Sequence, residues 1–153
     1  MFRTLWSREI NRPMSEVNET LHRRFFHELI DLGRPEAIDE LLSPDWEGHV
    51  PGRASLTRDD FKKQFVTFLS AFSDSKVTVE HQLSEGDMVA SHIWISGKNT
   101  GGFMDMAPTG RDVHYPGIEI VRVEDGKIRE FWGLLDIMVM LQQLGVVPEQ
   151  PPG

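Results

Sequence analysis

Apolar positions in the first half of the chain recur at helical spacing. Leu21, Phe25, Leu29 and Leu32 fall on one face of a helix that starts near Glu16, with Ser15 placed to cap it and Gly33 to stop it. A shorter helix follows Pro35 in EAIDELL and closes at Ser43-Pro44. Thr57 and Asp60 have the spacing of a capping box, and Phe61, Phe65, Phe68, Leu69 and Phe72 behind them form a wide aromatic stripe. Beyond residue 76 the period changes to two. Val77, Val79 and Leu83 alternate with polar residues, Glu85-Gly86-Asp87 makes a turn, and Met88 to Gly97 reads as the return strand. Residues 98–110, rich in Gly, Asn, Thr and Pro, read as a loop. Val113–Val123 and Lys127–Leu135 are two more strands around the tight turn Glu124-Asp125-Gly126, and IMVMLQQL is a final helix ended by Gly145. Helices first and hairpins second predict an α+β fold with an antiparallel sheet and the helices on one face.

The length of 153 residues fits one domain, expected over 15–147, with an N-terminal extension at 1–14 and a tail at 148–153. The net charge of −8 repels phosphate backbones and anionic membrane surfaces, so neither nucleic acid nor membrane is an expected partner. No cysteine is present, which removes disulfides and thiolate metal sites and makes a cytoplasmic protein the simplest reading. No apolar run approaches the roughly 20 residues that span a bilayer.

Several residues could carry chemistry. Asp136 follows Phe131, Trp132, Leu134 and Leu135, so it is expected in apolar surroundings, and it also stands where an N-cap for the last helix belongs. His92 alternates with Ala90 and Trp94 on a strand face, as a proton partner for Asp136 or as a half-buried histidine at a surface. Arg122 shares a face with Ile118 and Ile120, where an acidic partner is expected. Glu119 points to the opposite face and reads as part of an interface or ion pair. Trp46, Trp94, Trp132 and Phe103 are candidate walls for a flat ligand, or core. No HExxH, P-loop, GxGxxG or GxSxG motif occurs, and no metal site is read.

One set of motifs goes further. Gly97 to Thr100, Gly101-Gly102-Phe103, Pro108-Thr109-Gly110, Arg122, Asp125-Gly126-Lys127-Ile128, Trp132, Asp136 and Gln143-Leu144-Gly145, with RRFFHELIDLGRPEAIDELLSPDWEGH before them, resemble the SnoaL-like polyketide cyclase, or ester cyclase, family over about residues 16–147. The resemblance implies a cone-shaped curved sheet of the nuclear-transport-factor-2-like type with N-terminal helices on its concave face. It implies a cofactor-free cyclase or isomerase in which Asp136 is general acid/base on a small hydrophobic, even aromatic, carbonyl substrate, with His92 or His49 assisting. By the same resemblance, the WEGHVPG stretch around His49 lines the pocket entrance. The sequence departs from the family pattern with His92 in place of Arg and Asn99 in place of His, both at positions expected to meet a ligand. Trp46, Trp94, Asn99, Phe103, Arg122 and Trp132 complete the expected substrate site. Two alternatives stand beside this reading: an epoxide hydrolase of the limonene-epoxide type, which needs two acids bridged by an Arg around a water, and a non-catalytic binding domain. The strand VHYPGIEIVRV, apolar on both faces, predicts a homodimer that covers the face turned away from the helices.

Overall fold

The computed structural model describes residues 13–149. Apart from its last residues, the extension expected at 1–14 lies outside them, as does most of the tail. In chain order the elements are α1 (Met14–Phe26), continued by a π-helical turn (His27–Asp31), α2 (Ala37–Leu41), β1 (Leu42–His49), β2 (Leu56–Thr57), α3 (Arg58–Ala71), β3 (Phe72–Glu85), β4 (Met88–Asn99), β5 (Asp112–Glu124), β6 (Lys127–Leu135) and α4 (Ile137–Gln143). The six strands form one curved, unclosed sheet in the order β2-β1-β6-β5-β4-β3. The α+β class holds, with the N-terminal helices packed on the inner face of the sheet.

The sheet is mixed, and this corrects the all-antiparallel expectation. β3, β4, β5 and β6 pair antiparallel, but β1 runs parallel to β6, with Gly48 opposite Phe131 and His49 opposite Trp132. The chain reaches β1 straight from α2 and returns to pair with it some eighty residues later. Pro44 interrupts the alternation, and a register irregularity follows between Leu42 and Glu47. The strand therefore has no clean two-residue period to announce it.

Local chemistry places the other elements. The Thr57 hydroxyl accepts from Asp60 N–H and the Asp60 carboxylate accepts from Thr57 N–H, so the capping box starts α3. Asp125 and Gly126 both have positive φ, 51° and 73°, as a two-residue hairpin turn requires. The first helix begins at Met14, without a side-chain cap, rather than after Ser15. Its π turn inserts extra arc, so Leu32, expected on the apolar face, rotates out and is 52% exposed. No helix among the described residues is long and apolar enough to cross a membrane.

Candidate active site

Between the helices and the inner face of the sheet lies a partly enclosed cavity of about 220 Å³. The aromatic stripe of α3 builds one side with Phe61, Phe65 and Phe68, ring centroids 6.4 and 6.1 Å apart, and Phe72 at the start of β3 backs Phe68 at 5.1 Å. The end of α1 and its π turn add Phe25, Phe26, Leu29 and Ile30. Leu135, Ile137 and Met140 close the far end. Against this apolar wall stand three polar side chains, Gln64 from α3 and Tyr115 and Glu119 from β5.

The β5 pair follows from strand alternation. Val113, Tyr115, Glu119, Val121 and Val123 all point inward and are buried, while Ile118 and Arg122 point outward. Burial, and then the charge of Glu119, hold the Tyr115 phenol well above its ordinary value, so it remains an O–H donor. Glu119 is 7% exposed, and its Oε2 lies 3.6 Å from Nε2 of the fully buried His22 on α1. Neither atom has a hydrogen-bond partner. On its other side, His22 Nδ1 lies 3.0 Å from Ser91 Oγ, which accepts from Gln82 Nε2 at 3.0 Å. In the tautomer whose Nδ1 accepts the Ser91 hydroxyl proton, Nε2 carries its proton on the side facing Glu119.

Of the residues expected from the sequence, Phe103 takes its place in the cavity wall, edge-on to Phe72. Trp46 is 3% exposed in the core, against Phe61 and Phe131. Asn99 meets no cavity. It is 2% exposed and staples the 100–111 loop: Nδ2 donates to the Ala71 and Gly101 carbonyls, and Oδ1 accepts from Thr109 N–H and Oγ1–H.

The remaining candidates lie on the outer face. His49 bonds Glu130 at 2.9 Å and stacks on Trp132, and Arg122 bonds the other oxygen of Glu130 at 2.9 Å and pairs with Asp87. This is the ion pair foreseen for Arg122. Trp94 stacks on His114 and donates to Glu80. Asp136 is exposed, and its Oδ1 accepts from Val139 N–H at the start of α4. It lines a shallow outer groove with His92 and the apolar Pro116, Ile118, Leu134 and Leu135, so the neighbours expected for it are present, but on the open outer face rather than in the enclosed cavity. The reason is local: β6 ends at Leu135, and the capping geometry turns the Asp136 side chain along the helix start while its neighbours Leu135 and Ile137 face the cavity.

Sequence reasoning passed over Tyr115 and His22 and placed Glu119 at an interface or in an ion pair, of which only the facing His22 is present. The signal was available for Glu119, which is in phase with Tyr115, Val121 and Val123. His22 sits one residue after Leu21 and breaks no pattern.

A model of the SnoaL-like polyketide cyclase family matches residues 20–144. The nogalonic acid methyl ester cyclase of Streptomyces nogalater is 28% identical over 116 residues, covering 74% of this chain and 87% of the relative. Among solved structures, AclR of Streptomyces galilaeus, a proposed hydroxylase, superposes with a TM-score of 0.83 at 26% identity, covering 90% of this chain and 86% of that one. IdmH of Streptomyces antibioticus, a proposed polyketide cyclase, gives 0.75 at 29%, covering 84% and 99%. With most of its length matched by that model, the chain belongs to the SnoaL-like polyketide cyclase family.

Proposed function

We propose that the chain is a cyclase or isomerase that moves a proton beside the carbonyl of a small hydrophobic substrate held in the inner cavity, with Glu119 as acid/base and Tyr115 as donor to the carbonyl oxygen. The observation that carries this reading is the cavity itself: an apolar space with one carboxylate and one protonated phenol on its wall. Removing a proton next to a carbonyl needs a base and a donor for the developing enolate oxygen. Glu119 supplies the first and Tyr115 the second. His22, held by Ser91, faces the Oε2 of Glu119 at 3.6 Å. The volume lies below the roughly 300–1,000 Å³ of drug-sized pockets, which favours a compact ligand.

Asp136 supports a second reading. It matches the family's acid/base and lines the outer groove with His92, while its chain neighbours Leu135 and Ile137 line the inner cavity. The epoxide-hydrolase alternative gains nothing: Arg122 is bound to Glu130 and Asp87 on the outer face, and among the described residues no arginine lines the cavity.

Turnover of a panel of ester and ketone precursors, from single-ring to polycyclic, by three variants separates the readings. Glu119→Gln is expected to lose about 10²–10⁴ in rate and Tyr115→Phe about 10²–10³, with Asp136→Asn near wild type. A loss in Asp136→Asn with Glu119→Gln intact would move the acid/base to Asp136. Failure of the wild type on every substrate, with saturable ligand binding retained, would bring the binding-domain reading forward.

A further inference from the structure

The outer face of the β3–β4 hairpin carries a side-chain cluster that the proposed reaction does not use. β3 bulges between Val79 and His81: Val79 pairs with Ile93, but His81, not Glu80, pairs with His92. A strand normally sends consecutive side chains to opposite faces. The extra residue breaks that rule, and Glu80 and His81 both turn outward, on the same side as His92. His92 Nδ1 then lies 3.3 Å from His81 Nδ1 and 3.2 Å from Glu80 Oε2, and the three atoms fall within 4.8 Å of one another.

We infer that Glu80, His81 and His92 form a binding site for a late first-row divalent cation such as zinc. Around tetrahedral zinc, with Zn–N near 2.0–2.1 Å, ligand atoms stand about 3.3–3.4 Å apart. Two of the three edges already come within about 0.1 Å of that length. Without an ion the arrangement is poor chemistry: two imidazole nitrogens face each other, only one of which can donate to the other, and the carboxylate oxygen already accepts from Trp94 Nε1–H at 2.8 Å. A cation satisfies all three ligand atoms at once. The Trp94 bond then has a purpose, since outer hydrogen bonds orient metal-ligating carboxylates. Two imidazoles and one carboxylate select zinc, nickel or cobalt over magnesium or calcium. The cluster is open to solvent, which leaves the fourth position for water, and the net charge of −8 favours a cation. The comparable outer group Glu47, His49 and Glu130 is weaker, because Arg122 already neutralises Glu130.

Isothermal titration of untagged, chelator-stripped full-length protein with zinc chloride tests the site. One ion per chain is expected at low-micromolar affinity or better, with a rise in melting temperature. His81→Ala and His92→Ala should each weaken binding at least tenfold, Trp94→Phe about 10- to 100-fold, and His49→Ala not at all. Cobalt should give the intense visible absorption of a tetrahedral site, lost in His81→Ala. All these side chains are at least partly exposed, and circular dichroism checks that each variant is folded. No saturable binding below about 100 μM, or wild-type affinity in both His81→Ala and His92→Ala, would overturn the assignment. So would loss of binding in His49→Ala with His81→Ala unaffected.

Discussion

Replacing Asn99 with alanine separates a structural residue from a ligand-binding one, because the two roles move different observables. The buried side chain makes four hydrogen bonds of 2.8–3.1 Å that tie the end of α3, the 100–111 loop and Thr109 together. At about 0.5–1.5 kcal/mol net for each bond, the loss is about 2–4 kcal/mol after allowing for partial relaxation. The relaxation is real: the Ala71 carbonyl keeps the Thr100 and Gly101 N–H groups. Among the described residues, the Gly101 carbonyl and Thr109 N–H have no such reserve. For a chain of this length, each kcal/mol lowers the melting temperature by about 2–4 °C, so a fall of about 5–15 °C is expected. Thermal unfolding followed by circular dichroism measures it, with a urea series to show that the midpoint moves while the slope does not. Asn99→Asp should also destabilise, since it keeps the acceptor for Thr109 but turns an oxygen toward two carbonyls. A melting point within about 2 °C of wild type for Asn99→Ala would refute this reasoning and return Asn99 to the list of groups free to meet a ligand.

Tyr115 is the sole tyrosine, so ultraviolet absorbance reads its ionisation alone. Its folded value is raised, so the stability it contributes is complete below the ordinary value of about 10 and is lost as pH rises beyond it; absorbance should stay flat through pH 10 and change only with unfolding, and a normal titration of the folded protein would contradict the burial argument. On the outer face, Ile118 is 54% and Leu134 62% exposed, and we expect a second copy of the chain to cover them. Light scattering should give two chains, and Ile118→Lys with Leu134→Glu should give one; a wild-type monomer at micromolar concentration would defeat this. Asp136→Ala should cost about 1 kcal/mol of stability through the lost cap, while Asp136→Asn costs little; equal melting points for wild type and both variants would show that the cap contributes nothing.

Local rules determined much of the molecule from the sequence alone. The Thr57–Asp60 box, the Phe61–Phe72 stripe, the Asp125-Gly126 turn and the two hairpins each depend on residues within a few positions of one another, and each formed where the pattern put it. So did the family, which is written in ordered motifs. What the tertiary structure decided are the features whose causes are distant in sequence or smaller than a period. β1 exists as a strand because β6 lies beside it, and no local preference in SPDWEGH demands that. The π turn that exposes Leu32 and the bulge that sends Glu80 and His81 to one face are single-residue insertions, invisible to a count of threes, fours and twos. The sequence showed that Ile118 and Glu119 face opposite ways; only the packing of α1 and α3 decided that the Glu119 side is the inside. That choice set the carboxylate against His22, nearly one hundred residues away, while a cap three residues long turned Asp136 to the surface. Periodicity reports which side chains share a face, and the face that becomes a cavity is chosen by what packs against it.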